Sequence, residues 1–214
     1  MATGVLDLAV HDFSAQLAAK QPTPGGGSAA ALVGGLGAGL VSMVCRYTVG
    51  RERYADVEEA AQRVLVRAEE LRVELEQAVE EDVAAYGSYS RAQSMPRETD
   101  AEQGARNAAL QMALRESTSV PLGVAERCTE LLELAVEAAE IGNPFLISDA
   151  AVGAELAAAA RASAELNVRL NVGGLEDEAF ADESRARLQA MDARVGGREL
   201  VERAARAVAE RAGA

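Results

Sequence analysis

Residues 20–40 read KQPTPGGGSAAALVGGLGAGL. Two prolines lead into Gly25, Gly26, Gly27 and Ser28, and then no residue from Ala29 to Cys45 carries a charge. Three structures could use such a stretch: a phosphate loop, a membrane span, or a tight turn feeding a core helix. The phosphate loop fails. No G-x-x-x-x-G-K-[ST] occurs, and no strand pattern precedes the glycines, so the dinucleotide fingerprint lacks its context. The span fails on length, because it needs ~20 predominantly apolar residues and the uncharged run is shorter and holds Gly34, Gly35, Gly37 and Gly39. Each internal glycine costs a helix about 1 kcal/mol relative to alanine. Such a helix persists only where its bare backbone lets neighbours pack close. The stretch therefore predicts a central buried helix, with Ser28 as its N-cap. Free backbone N–H groups at its start can receive an anion or a carbonyl oxygen, although a plain inter-helix turn explains the glycines equally well.

The rest of the chain supports an all-α fold: a compact multi-helix bundle around that Gly/Ala-rich helix. Of the 214 residues, 49% are hydrophobic but only 3% aromatic, a composition suited to closely packed helices. The net charge of −13 argues against phosphate-backbone binding, so no nucleic acid is expected. Cys45 and Cys128 are far apart and His11 is the only histidine, which leaves no zinc site and little room for a Ser-His-Asp triad. The N-terminus has acids within its apolar stretch and no basic region before it, unlike a secretory signal, so a cytoplasmic protein with no membrane partner is expected.

Apolar spacing predicts further helices over about 5–19 and 55–91. Val57, Ala61, Val64, Ala68, Leu71, Leu75 and Ala78 form the stripe of the second, and the next position on it is Asp82, followed by Tyr86 or Ala85 and then Tyr89. A carboxylate on an apolar stripe is either paired with a cation or functional. Thr99 and Glu102 form a capping-box pattern that opens another helix bearing Arg106, a candidate partner for a buried acid. Pro121 suggests a fresh start in its first turn, running to Ile141 with Gly142 as C-cap. In GNPFLISDAAVGAE, Ser148 reads as an N-cap and Asp149 as a first-turn acid. The following helix carries Asn167 and Asn171 one turn apart, about 27 Å from Asp149 at 1.5 Å per residue. The pair could equally terminate the helix. One domain covers 1–214, with surface or dimer-contact helices over about 177–214.

Taken together, PTPGGGSAAA, EEDVAAY, MPRETDAE…R, SVPLGVAE, GNPFLISDAAVGA and AELNVRLNV resemble the cyclodeaminase/cyclohydrolase family, that of the cyclodeaminase half of formiminotransferase-cyclodeaminase. The resemblance spans roughly Leu6 to Phe180 in family order. It implies an all-helical homodimer acting on a tetrahydrofolate one-carbon derivative, with no cofactor beyond the folate itself and no metal. The leading expectation is a 5-formiminotetrahydrofolate cyclodeaminase forming 5,10-methenyltetrahydrofolate and ammonia. The alternative is a 5,10-methenyltetrahydrofolate cyclohydrolase, and a non-catalytic helical interaction protein is the third reading. Arg97 stands where the family often has lysine. Within this resemblance Asp82 is the expected acid/base carboxylate, with Arg106 orienting or balancing it. Pro24, Gly25, Gly26, Gly27, Ser28, Tyr86, Asn143, Ser148, Asp149, Asn167 and Asn171 are the expected substrate-binding residues.

Overall fold

The computed structural model describes residues 4–195 and 198–212. Among them there are helices and no strand: α1 (Val10–Ala18), α2 (Gly26–Arg46), α3 (Glu58–Gln93), α4 (Asp100–Ile141), α5 (Ile147–Val172), α6 (Glu178–Val195) and α7 (Glu199–Ala212). Short 3₁₀ turns, Val5–Asp7 and Glu52–Val57, precede α1 and α3. The Gly196–Gly197 break expected before the last helix lies outside the described residues.

α2 is the centre, flanked by α3 and α5 and backed by α4. Its glycines are the reason it fits. A Cβ on Gly37 would stand 3.1 Å from the Gly153 carbonyl oxygen, and one on Gly153 would stand 3.1 Å from that of Gly37. α2 and α5 thus touch backbone to backbone. Gly37 meets Gly153, Leu156 and Ala157 while Gly153 meets Leu40 and Val41, so the two helices run antiparallel. The helix is longer than the uncharged run that suggested it is too short to span a membrane. The helix begins at Gly26 and reaches 21 residues, long and apolar enough to cross a bilayer. What sets it apart is that its inner face is packed inside the bundle, with Ala31, Ala38, Val41 and Val44 at 0% exposure.

The α3 stripe is buried as its period predicts: Ala61, Val64, Ala68, Leu71, Leu75 and Ala78 all face the core. Thr99 and Glu102 make both bonds of the capping box at the start of α4. Three local expectations fail. α4 does not restart at Pro121; it runs unbroken for 42 residues with the proline inside it. Ser28 and Ser148 are not N-caps, because α2 begins at Gly26 behind Gly25, and α5 begins at Ile147 behind Leu146. Gly142 does end α4, but at φ −68°; glycine is needed there because a Cβ would meet the Ala138 carbonyl at 2.5 Å and Val44 at 2.6 Å.

α6 and α7 lie on α4 and α5, and Leu188, Met191, Val201 and Ala204 join the main core. A charged seam accompanies them. Glu126, Glu133 and Glu140, seven apart on α4, accept from Arg187, Arg194 and Arg203. Interleaved with them on the same face of α4, Glu130 and Glu137 pair with Arg67 and Arg63 of α3.

Candidate functional site

Asp82 sits where the buried stripe of α3 reaches the start of α2. It is half-buried, and its Oδ2 accepts a 2.7 Å hydrogen bond from the Ser28 hydroxyl. Arg106 is elsewhere: its Nε donates to the Gln93 carbonyl at 3.3 Å, at the turn between α3 and α4. A hydroxyl therefore stands where the sequence suggested a guanidinium. The reason is the third-residue position of Ser28 in α2, which aims its side chain at α3 rather than back at its own helix end.

The glycine loop now separates into parts. A Cβ on Gly27 would lie 2.0 Å from Asp82 Oδ1 and 2.6 Å from the carboxyl carbon, so only glycine admits this carboxylate. A Cβ on Gly25 or Gly26 would meet nothing within 4 Å. Pro24 is buried beneath the turn. The first turn of α2 carries backbone N–H groups without helical partners and the positive end of the helix dipole, and Asp82 rests against it.

From Asp82 a cavity of about 470 Å³ opens between α3, α4 and the C-terminal end of α5. Tyr86 and Tyr89 continue its α3 wall, Ser117 and Leu114 form the α4 wall, and Asn167, Leu170 and Asn171 the α5 wall. The volume suits a drug-sized organic ligand. Asn167 donates from Nδ2 to the Ser163 carbonyl on its own helix. Asn171 reaches across to the Ser117 carbonyl at 2.6 Å. That bond explains the unbroken α4. Pro121 has no N–H to give the carbonyl four residues earlier, which is that of Ser117, and Asn171 supplies the missing donor. The sequence shows both residues but not that they meet. Ser117 and Leu114 carry no local signal at all, whereas Tyr89 is legible as the next step of the Asp82 stripe.

Asn143, Ser148 and Asp149 are at the other end of the α2–α5 pair. Asn143 is buried; its N–H donates to Thr48 Oγ1 at 2.9 Å, and its Oδ1 accepts from the Tyr54 hydroxyl at 2.9 Å and the Phe145 N–H at 3.2 Å. It holds the α4–α5 junction together. Ser148 is exposed and Asp149 half-buried. A single chain therefore gathers Gly27, Ser28, Asp82, Tyr86, Asn167 and Asn171 in one place and leaves these three in another.

No group of three His, Cys, Asp or Glu among the described residues could hold a metal ion. A larger groove, about 700 Å³, lies between α3, α4 and α6. Its arginines are engaged by glutamates, Arg67 and Arg127 by Glu74, Arg187 by Glu126 and Arg194 by Glu133, which leaves no spare cation for a ligand. Burial pushes the Cys45 and Cys128 thiols up to about 12, so neither is a ready nucleophile.

The sequence matches the formiminotransferase-cyclodeaminase family over residues 9–190. The chain belongs to that family. A methenyltetrahydrofolate cyclohydrolase of Methylorubrum extorquens is 43% identical over 187 residues, 87% of this chain and 90% of the relative. The formimidoyltransferase-cyclodeaminase of Rattus norvegicus is 32% identical over 87% of this chain, which spans only 35% of that longer protein. The crystal structure of a formiminotetrahydrofolate cyclodeaminase from Thermotoga maritima superposes with a TM-score of 0.84 at 28% identity, covering 96% of this chain and 98% of the other. The fold described above is thus that of a formiminotransferase-cyclodeaminase family enzyme.

Proposed function

We propose that the protein hydrolyses or forms the one-carbon bridge of 5,10-methenyltetrahydrofolate in the Asp82 cavity, as a homodimer. The carrying observation is one carboxylate, fixed by Ser28 and given room by Gly27, at the mouth of a cavity lined by two tyrosines and two asparagines. Cyclohydrolase is the favoured reaction. The 43% identical relative of that name is matched over nearly its whole length. Water adds to the bridging carbon while Asp82 accepts its proton, and the carbon–nitrogen bond then breaks with a proton returned to the departing nitrogen. Proton transfer by a positioned side chain contributes typically ~10²–10⁴-fold. Asn167, Asn171, Tyr86 and Tyr89 supply the aromatic and amide surface to hold a flat pterin ring in line.

The cyclodeaminase reading is supported by the likeness to the Thermotoga maritima enzyme. The same carboxylate would take the proton from N10 as it attacks the formimino carbon and return it to the leaving ammonia. Assay of the purified protein with 5,10-methenyltetrahydrofolate and 5-formiminotetrahydrofolate side by side separates the two. Faster turnover of the first supports the favoured reading, faster turnover of the second the other. Turnover of neither, with no binding of either folate, would leave a helical interaction protein.

A further inference from the structure

We infer that the Asp82 cavity recognises the positive charge of the one-carbon unit, with the rings of Tyr86 and Tyr89 as its specificity-determining faces. This rests on the functional reading above and deepens it. The bridging carbon of 5,10-methenyltetrahydrofolate stands between two nitrogens that share one positive charge, an amidinium. The formimino group of 5-formiminotetrahydrofolate becomes the same kind of cation when protonated. The two candidate reactions thus share one charged feature, which tetrahydrofolate and 5,10-methylenetetrahydrofolate lack.

The polar groups of the cavity fit that charge. No Arg or Lys stands among the described residues that line it. Asn167 and Asn171 each give an amide N–H to a backbone carbonyl, that of Ser163 and that of Ser117. A carbonyl only accepts, so these bonds fix which end of each amide is the nitrogen. Neither amide oxygen takes a bond from a described residue. Asp82 Oδ1 is likewise left over once Oδ2 has accepted from Ser28. The cavity thus offers oxygen acceptors and a carboxylate, and no positive side chain.

The tyrosines complete it. Asp82, Tyr86 and Tyr89 lie on one face of α3, about one turn apart, and all three line the cavity. A cation within about 6 Å of a tyrosine ring centroid is attracted to the ring face, and a single turn separates Asp82 from Tyr86, so one amidinium reaches both. The cation–π pairs of the described residues, Arg53 on Tyr54 and Arg115 on Phe180, are elsewhere, so no protein cation occupies these two rings. Ser28 and the positive end of α2 already answer part of the Asp82 charge, which leaves the rings to carry the rest of the recognition. As water adds to the bridging carbon, its proton passes to Asp82. The positive charge of the amidinium and the negative charge of the carboxylate disappear together. The opened formyl product has lost the charge that the rings hold.

The test compares two folates that differ in that charge. 5,10-Methylenetetrahydrofolate keeps the ring bridge and the glutamate tail of the methenyl form but is neutral at the bridge. Single-turnover rates against enzyme concentration give the dissociation constant of the methenyl folate, and competition gives that of the methylene folate. Wild-type protein is expected to bind the methenyl form at least ~10-fold tighter. Tyr86→Leu, at a position 45% exposed, should shrink that gap to ~3-fold or less, whereas Tyr86→Phe, which keeps the ring, should retain it. Tyr89→Leu is the second variant, read the same way. Equal affinities in wild type would overturn the inference without any variant. Leucine variants that weaken both folates alike would overturn it too, because the rings would then be stacking surfaces only. A Tyr86→Phe variant that behaves as Tyr86→Leu would assign the effect to the hydroxyl and overturn it as well. Wild-type protein that turns over neither the methenyl nor the formimino folate defeats the functional reading, and this one with it. Turnover with no gap in affinity defeats the charge recognition alone.

Discussion

The Ser28 hydroxyl donates to Oδ2 of Asp82 across 2.7 Å, joining residues 54 apart in sequence at the point where α2 begins and the stripe of α3 surfaces. Gly27 leaves the space in which that carboxylate lies.

Gly27→Ala should therefore act through Asp82. The new Cβ claims a point 2.0 Å from Oδ1 and displaces the carboxylate from Ser28. Turnover is expected to fall by roughly 10²-fold, as for other small misplacements of a catalytic group, with thermal stability little changed. Gly26→Ala, whose Cβ meets nothing within 4 Å, should leave turnover much closer to wild type. Steady-state kinetics of the pair check this; equal losses would separate the glycine from Asp82.

Asn171 and Pro121 should be energetically coupled. Asn171→Leu leaves the Ser117 carbonyl without a donor and is expected to destabilise the fold by about 1–3 kcal/mol. In a Pro121→Ala background the restored N–H can take over that carbonyl, and the same substitution should cost distinctly less. A double-mutant cycle by denaturant unfolding measures the difference. Additive effects would show that the two residues act independently.

These two residues also show what a sequence can reveal. The capping box at Thr99 and Glu102 is local, so it is readable, and the Asp82 stripe is readable because period 3.6 persists along α3. Sequence suggests Arg106 as the partner of Asp82 and the structure gives Ser28, because the deciding contact joins two helices whose packing no local rule specifies. Pro121 misled for the same reason: its local tendency is to begin a helix, and a side chain 50 residues later removes the penalty for continuing one. Asn143 was legible as a special residue but not as the tie that holds Thr48, Tyr54 and Phe145 at the far end of the bundle.

Close approach of α2 and α5 predicts that Gly37→Val is poorly tolerated. Its Cβ would press on the Gly153 carbonyl at 3.1 Å and Leu156 at 3.3 Å. A loss of about 1–3 kcal/mol is expected for overpacking, read as a lower urea midpoint. An unchanged midpoint would mean the helices part freely.

The salt-bridged seam predicts an acid limb of stability. Two hydrogen bonds from Arg67, at 2.6 and 2.9 Å, hold the Glu130 carboxyl below its ordinary 4.5, and they outweigh the opposing effect of burial. A depressed folded pKa contributes stability that is present above 4.5 and is lost as pH falls through the lower folded value. Glu130→Gln should thus cost stability at pH 7 and show a shallower decline below pH 4.5 than wild type. Parallel pH–stability curves for the two proteins would contradict this.

Asp82→Asn tests the proposed proton transfer by Asp82 in a folate one-carbon reaction. The amide keeps the shape and can still bond Ser28, but it cannot accept and return a proton. Turnover of 5,10-methenyltetrahydrofolate and of 5-formiminotetrahydrofolate, measured with the affinity for each on folded protein, should fall by ~10²–10⁴-fold while affinity changes far less. A folded variant that retains near wild-type turnover on either substrate would contradict the account.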